Sequence, residues 1–253
     1  STSSTISNIN IVNSGSGYQY LNPKIGISSS FITKKDPIYN WKSSSGITTN
    51  YDINSIVYGN SFVGIGSSSI LVTSTDGSTW NTYSLGYGNT ISFNSVAFAQ
   101  TDTYVAVGQT GKIIRTTGIG NSWSEIKLLN PVGDVLGTYD LVNSTYNGEF
   151  KDITYSEDKN TFIAVGKISS YDQKSPIFSA VGIGTTQFFE CNKLNTKNLN
   201  SVAFNSSIFV AVGDEGTIYY SFDAFRWNII GDTSKATTEN LNKIIWDGNR
   251  FIS

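Results

Sequence analysis

The chemistry-bearing side chains that recur at fixed offsets are Ser, Asp and Trp. They stand together in Ser74-Thr75-Asp76-Gly77-Ser78-Thr79-Trp80 and in Ser221-Phe222-Asp223-Ala224-Phe225-Arg226-Trp227, and a degenerate copy ends at Trp123. Carboxylates suit glycoside hydrolysis when two of them face each other across about 5 to 9.5 Å. Asp and Glu in this chain sit mostly in turns, where a Ser hydroxyl and an Asp carboxylate bond the turn amides instead. Gly77 permits positive φ, and an indole closing the turn can cap the apolar layer between two sheets. Ser74, Asp76, Gly77, Trp80, Ser221, Asp223 and Trp227 are therefore read as structural turn residues.

Other reaction chemistry is thinly supplied. The chain has no His, which excludes Ser-His-Asp and Cys-His nucleophile systems and removes the commonest transition-metal ligand. Cys191 is the single cysteine, so neither a disulfide framework nor a multi-cysteine metal site is expected, and a small buried hydrophobe is. Asp214-Glu215 lacks the surrounding loop of a calcium site, and no phosphate-binding glycine loop opens a helix. Arg115, Arg226 and Arg250 are the only arginines, and they stand in different contexts of their repeats. No catalytic residue, metal or cofactor is expected. Tyr139, Tyr146 and Tyr171 lie in insertions, where they are candidate ligand contacts able to stack on sugar rings; packing within the loops is the competing use.

These residues are positioned by a repeat. Short apolar strands begin at Ile53 (INSIVY), Phe93 (FNSVAF), Phe150 (FKDITY), Leu199 (LNSVAF) and Leu241 (LNKIIW), at intervals of 40 to 57 residues. Each is followed by a polar turn and a second strand, ending in glycine in the first four: FVGIG at Phe62, YVAVG at Tyr104, FIAVG at Phe162 and FVAVG at Phe209. A third strand then leads into the Trp-closed turn. Small four-stranded sheets cannot bury both faces alone, whereas radial stacking buries them, so the expected fold is all-β, a propeller of about five four-stranded blades. The third copy departs from the pattern, with an insertion between Gly166 and Ile177 and VGIGTTQFF in place of the Asp turn. IGISSSFITKKDPIYNW, ending at Trp41, aligns with the second half of a unit, and closure of the ring by the two terminal halves is one expectation; completion by sequence outside the chain is the other. With no Met and an end inside a motif, the sequence reads as an excerpt truncated within a blade.

The repeats resemble the Asp-box and BNR-type repeats of sialidase-like propellers and the VAVG strands of photosynthetic assembly factors. Residues 6 to 27, with Gly15, Gly17, Tyr18 and Pro23, resemble short GSGY modules of tailed-phage structural proteins, notably those of marine cyanobacteria. Residues 1–30 are accordingly expected to form a separate β module or linker and residues 31–253 the propeller. The phage resemblance implies a non-enzymatic virion component of a tail, baseplate or fibre, homo-oligomeric, with other virion proteins as partners. In that reading the propeller is an assembly or host-contact module with a host-surface glycan as a further candidate partner, whereas the sialidase resemblance implies a carbohydrate-binding or glycan-processing propeller. A formal charge of −2 argues against nucleic acid, and no stretch is apolar enough for membrane insertion.

Overall fold

The computed structural model describes residues 6–8, 26–27, 45, 51–88, 90–118, 122–131, 139–140, 148–167, 177–191, 197–230 and 237–253. Among them the regular elements are strands and three short 3-10 turns. Strands β1 (Ile6–Asn8) and β2 (Gly26–Ile27) pair antiparallel. The next four, β3 (Ile53–Tyr58), β4 (Phe62–Gly66), β5 (Ile70–Ser74) and β6 (Asn81–Ser84), form one meander. A second comprises β7 (Phe93–Ala99), β8 (Thr103–Gly108), β9 (Ile113–Thr117) and β10 (Ser124–Glu125).

The long connection after β10 is not a loop throughout. It supplies β11 (Lys127–Pro131) and β12 (Tyr139–Asp140), and β11 runs parallel to the outer strand of the third sheet. That sheet, β13 (Phe150–Ser156), β14 (Thr161–Gly166), β15 (Ile177–Val181) and β16 (Gln187–Glu190), thereby becomes six-stranded. The fourth is again four-stranded: β17 (Leu199–Phe204), β18 (Phe209–Gly213), β19 (Ile218–Ser221) and β20 (Asn228–Ile229). Of the fifth unit the described part is a hairpin, β21 (Ile245–Trp246) with β22 (Phe251–Ile252). The segment on which ring closure turns, around 28–44, lies outside the described residues.

The glycine ending each second strand has a steric cause. The register slips by one residue between Ile53 and Ser55, Phe93 and Ser95, Phe150 and Asp152, and Leu199 and Ser201, which is a bulge in each first strand. Opposite the bulge, an added Cβ on Gly66, Gly108, Gly166 or Gly213 would run into the carbonyl of Asp52, Ser92, Glu149 or Asn198. The backbone there is extended, so close approach rather than a left-handed conformation demands glycine.

Apolar layers fill the spaces between neighbouring sheets. Val63, Ile65 and Leu71 of the first sheet pack with Phe93, Tyr104 and Ile114 of the second. Val107 and Ile113 pack with Phe150, Phe162 and Phe178 of the third. Ile163, Val165 and Cys191 meet Leu199, Phe209 and Trp227 of the fourth, and Val212 meets Ile244 of the fifth unit. First strands also touch in sequence, β3 with β7, β7 with β13, β13 with β17 and β17 with β21. All five border one cavity of about 600 Å³, which places them around a shared axis.

Candidate functional site

Two regions gather polar side chains: the outer turns and the axis. At the first outer turn the Ser74 hydroxyl accepts from the amides of Asp76 (3.3 Å) and Gly77 (2.9 Å) and donates to Asp76 Oδ1 (3.0 Å). Asp76 Oδ1 also accepts from the amides of Ser78 and Thr79, each at 2.8 Å. Trp80 Nε1 closes the turn on the Gly77 carbonyl at 3.1 Å. The fourth sheet repeats this bond for bond. Ser221 Oγ accepts from Asp223 and Ala224, Asp223 Oδ1 from Phe225 and Arg226, and Trp227 Nε1 donates to the Ala224 carbonyl. The turn needs positive φ at its fourth residue, +72° at Gly77 and +72° at Ala224.

These bonds set the charge state. The amides of Thr79 and Ser78, with the Ser74 hydroxyl, hold the Asp76 carboxyl below its ordinary range. Burial opposes ionisation of Asp223, but the amides of Arg226 and Phe225 outweigh it and lower this carboxyl too. Asp247, in the hairpin turn of the fifth unit, is lowered in the same way by the amides of Arg250 and Asn249. All three carboxylates are therefore ionised and engaged by their own turns.

Where the Asp turn is degenerate, other groups appear. Trp123 Nε1 is buried without a hydrogen-bond partner. In the third sheet, Arg115 reaches across from β9 and donates from Nη1 to the carbonyls of Ile183 and Thr185, both at 3.1 Å. Arg226 and Arg250 pair with Asp223 and Asp247 at their own turns, so the three arginines do not form one cluster. Cys191 is fully buried, donates to the Ala224 carbonyl at 3.3 Å, and burial pushes its thiol up to about 12. Asp214 accepts from the side-chain amides of Asn198 and Asn200, and Glu215 pairs with Lys197. Among the described residues no group of three or more acidic, Cys or His side chains is placed to hold a metal.

At the axis, the bulge at the start of each first strand aims side chains at the next sheet. Asn54 Nδ2 donates to the Phe93 carbonyl (2.9 Å), Asn94 to Phe150 (2.7 Å) and Asn200 to Leu241 (3.1 Å). The third residue of each strand supplies an acceptor for a neighbouring amide: Ser55 for Val96, Ser95 for Ile153, Asp152 for Val202 and Ser201 for Ile244. Asp152 is the centre of this network. Its carboxylate accepts from the Ser95 hydroxyl (2.8 Å), the Ser201 hydroxyl (2.6 Å) and Lys243 Nζ (2.8 Å), and only 6% of its side chain is exposed. Lys243 belongs to the fifth unit and reaches past the fourth sheet to the third, which radial convergence permits.

The sixth residue of each repeat start is aromatic and packs at a tilt against the aromatic that opens the second strand's apolar run. The pairs are Tyr58–Phe62, Phe98–Tyr104, Tyr155–Phe162, Phe204–Phe209 and Trp246–Phe251, with centroids 4.4 to 5.0 Å apart. Burial, helped by the Glu157 carboxylate, raises the Tyr155 phenol above its ordinary value. Phe98, Tyr155, Phe204 and Trp246 line the axial cavity. Neither Asp152, Lys243 nor this collar was singled out from the sequence. The signal was in the aligned repeat starts, whose third column reads Ser, Ser, Asp, Ser, Lys and whose sixth is aromatic throughout. Of the candidate ligand-contact residues, Tyr139 belongs to the edge strand β12, paired with Pro131. Tyr146 and Tyr171 lie outside the described residues.

No family model matches the chain, and neither does any curated protein sequence. Solved structures do resemble it. An ancestral GH74 enzyme superposes with a TM-score of 0.52 at 10% identity, covering 74% of this chain and 26% of its own. The RRP9 WD40 repeats give 0.52 at 9% identity, covering 76% of this chain and 55% of that one. YCF48 bound to D1 peptide gives 0.37 at 17% identity over 81% and 74%, below the level at which a superposition bears on architecture. The chain thus spans about a quarter and about half of the first two. With the stacked antiparallel sheets and shared axis, they define the chain as a β-propeller protein.

Proposed function

We propose that the chain is a non-enzymatic structural component of a phage virion, associated with a tail, baseplate or fibre, in which the propeller serves as an assembly or host-contact module. The observation that carries the non-catalytic part is the fate of the turn aspartates and of the axial Asp152. Asp76, Asp223 and Asp247 are engaged by turn amides, and Asp152 by Ser95, Ser201 and Lys243. Each serves the scaffold. The virion part draws support from the GSGY resemblance of residues 6 to 27, whose ends pair as β1 and β2. Other virion proteins and further copies of the chain are the partners, since particle appendages follow symmetry. Mass spectrometry of purified particles should find the polypeptide at a fixed stoichiometry. Its presence only in uninfected cells, or glycoside turnover abolished by one carboxylate substitution, would overturn the proposal.

A second reading, a carbohydrate-binding propeller, is favoured by one specific observation. The axial cavity of about 600 Å³ is lined by aromatic rings, and its size lies within the roughly 300–1,000 Å³ of small-ligand sites. Retention on a glycan array tests it.

A further inference from the structure

The axial cavity has a definite chemical division. Its walls carry Ile56, Val96, Ile153 and Val202, and its collar carries Tyr155, Phe204 and Trp246, all three partly exposed. Gln100, Glu157 and Asn205, from turns that join first and second strands, also line it. Gln100 Nε2 donates to Glu157 Oε1. Lys243 lines the cavity as well, with its charge set against Asp152.

Aromatic faces flanked by carboxylate and amide groups suit a ring with apolar C–H faces and hydroxyl edges. The charge pattern narrows the class further. Among the described residues Glu157 and Lys243 are the only formal charges on the lining, the lysine is already paired, and no arginine lines it. Among the described residues, an acidic sugar would meet Glu157 with Lys243 already set against Asp152 and each arginine engaged away from the cavity.

We infer that the axial cavity binds an uncharged oligosaccharide, with Tyr155, Phe204 and Trp246 as the stacking platform and Gln100, Glu157 and Asn205 as hydroxyl partners. The inference rests on the carbohydrate-binding reading above and adds to it the site and the ligand class.

The test uses the whole chain on an array of neutral and sialylated oligosaccharides, followed by calorimetric titration of the strongest neutral ligand. Trp246→Ala and Glu157→Gln are compared with the unaltered chain, with Tyr155→Leu as a second platform variant should Trp246→Ala fail to fold. Neutral glycans should be retained over sialylated ones. Loss of a stacking ring should weaken binding by about tenfold, and Glu157→Gln by several-fold, with melting temperatures little changed. Neutral binding indifferent to all three substitutions would overturn the cavity assignment and leave carbohydrate binding standing. Preference for sialylated glycans would overturn the ligand class. Retention of no glycan would remove the carbohydrate reading itself.

Discussion

Asp223 and Asp152 are both engaged carboxylates, and they hold the molecule at different scales. Asp223, at the periphery, accepts from amides two and three residues further along its own turn. Asp152, at the axis, accepts from Ser95, Ser201 and Lys243, which lie 57, 49 and 91 residues away and belong to three other repeat units. The first fixes the shape of one turn, whereas the second joins the sheets to each other. Polar groups of the same type thus divide into local and global fasteners according to how many blades they touch.

Substitutions can sharpen or break that division. Asp152→Ala should be the most damaging, because it leaves buried hydroxyls and an amide without their acceptor. A loss of about 3 kcal/mol is expected in urea unfolding, with one transition for the whole chain. Arg115→Met, which strips two carbonyls of the third sheet of a charged donor from the second, should cost about 2 kcal/mol in the same measurement. Asp223→Ala should cost only about 1 kcal/mol, since its partners are local and its own side chain is about half exposed to water. A larger loss for Asp223→Ala than for Asp152→Ala would reverse the comparison.

Acidification from pH 7 to 5 should do least. Asp76, Asp223 and Asp247 have carboxyls lowered from an ordinary 3.8, so their stabilisation is complete above that value and is lost only as pH falls through the lower folded values. Melting temperatures recorded across this range should stay nearly flat and then decline below it. A decline beginning above pH 5 would contradict the assignment of these groups.

The same division explains what could be read from the sequence. The Ser-x-Asp turns were legible because donor, acceptor and positive-φ residue lie within seven positions of each other. The sheets were legible because their strand starts repeat. Asp152 was not, since its partners are brought near only by stacking the sheets, and an isolated Asp in FKDITY looks like a polar residue in a strand. The strands inside the connection before the third sheet were not legible either. Of these, β11 has the apolar pair Leu128-Leu129, yet its partner β16 lies far along the chain, Lys127 pairing with Gln187, in a parallel register that local pattern does not announce. Tyr139 in β12 follows from the same addition.

The most direct test of the radial arrangement is a double-mutant cycle between Lys243 and Asp152, measured by urea unfolding of Lys243→Met, Asp152→Asn and the pair. Sheets converging on one axis bring the fifth unit to the third, so the two changes should be non-additive by about 1 kcal/mol. Additivity within about 0.3 kcal/mol would place the two residues apart, as in a linear stack, and contradict the shared axis.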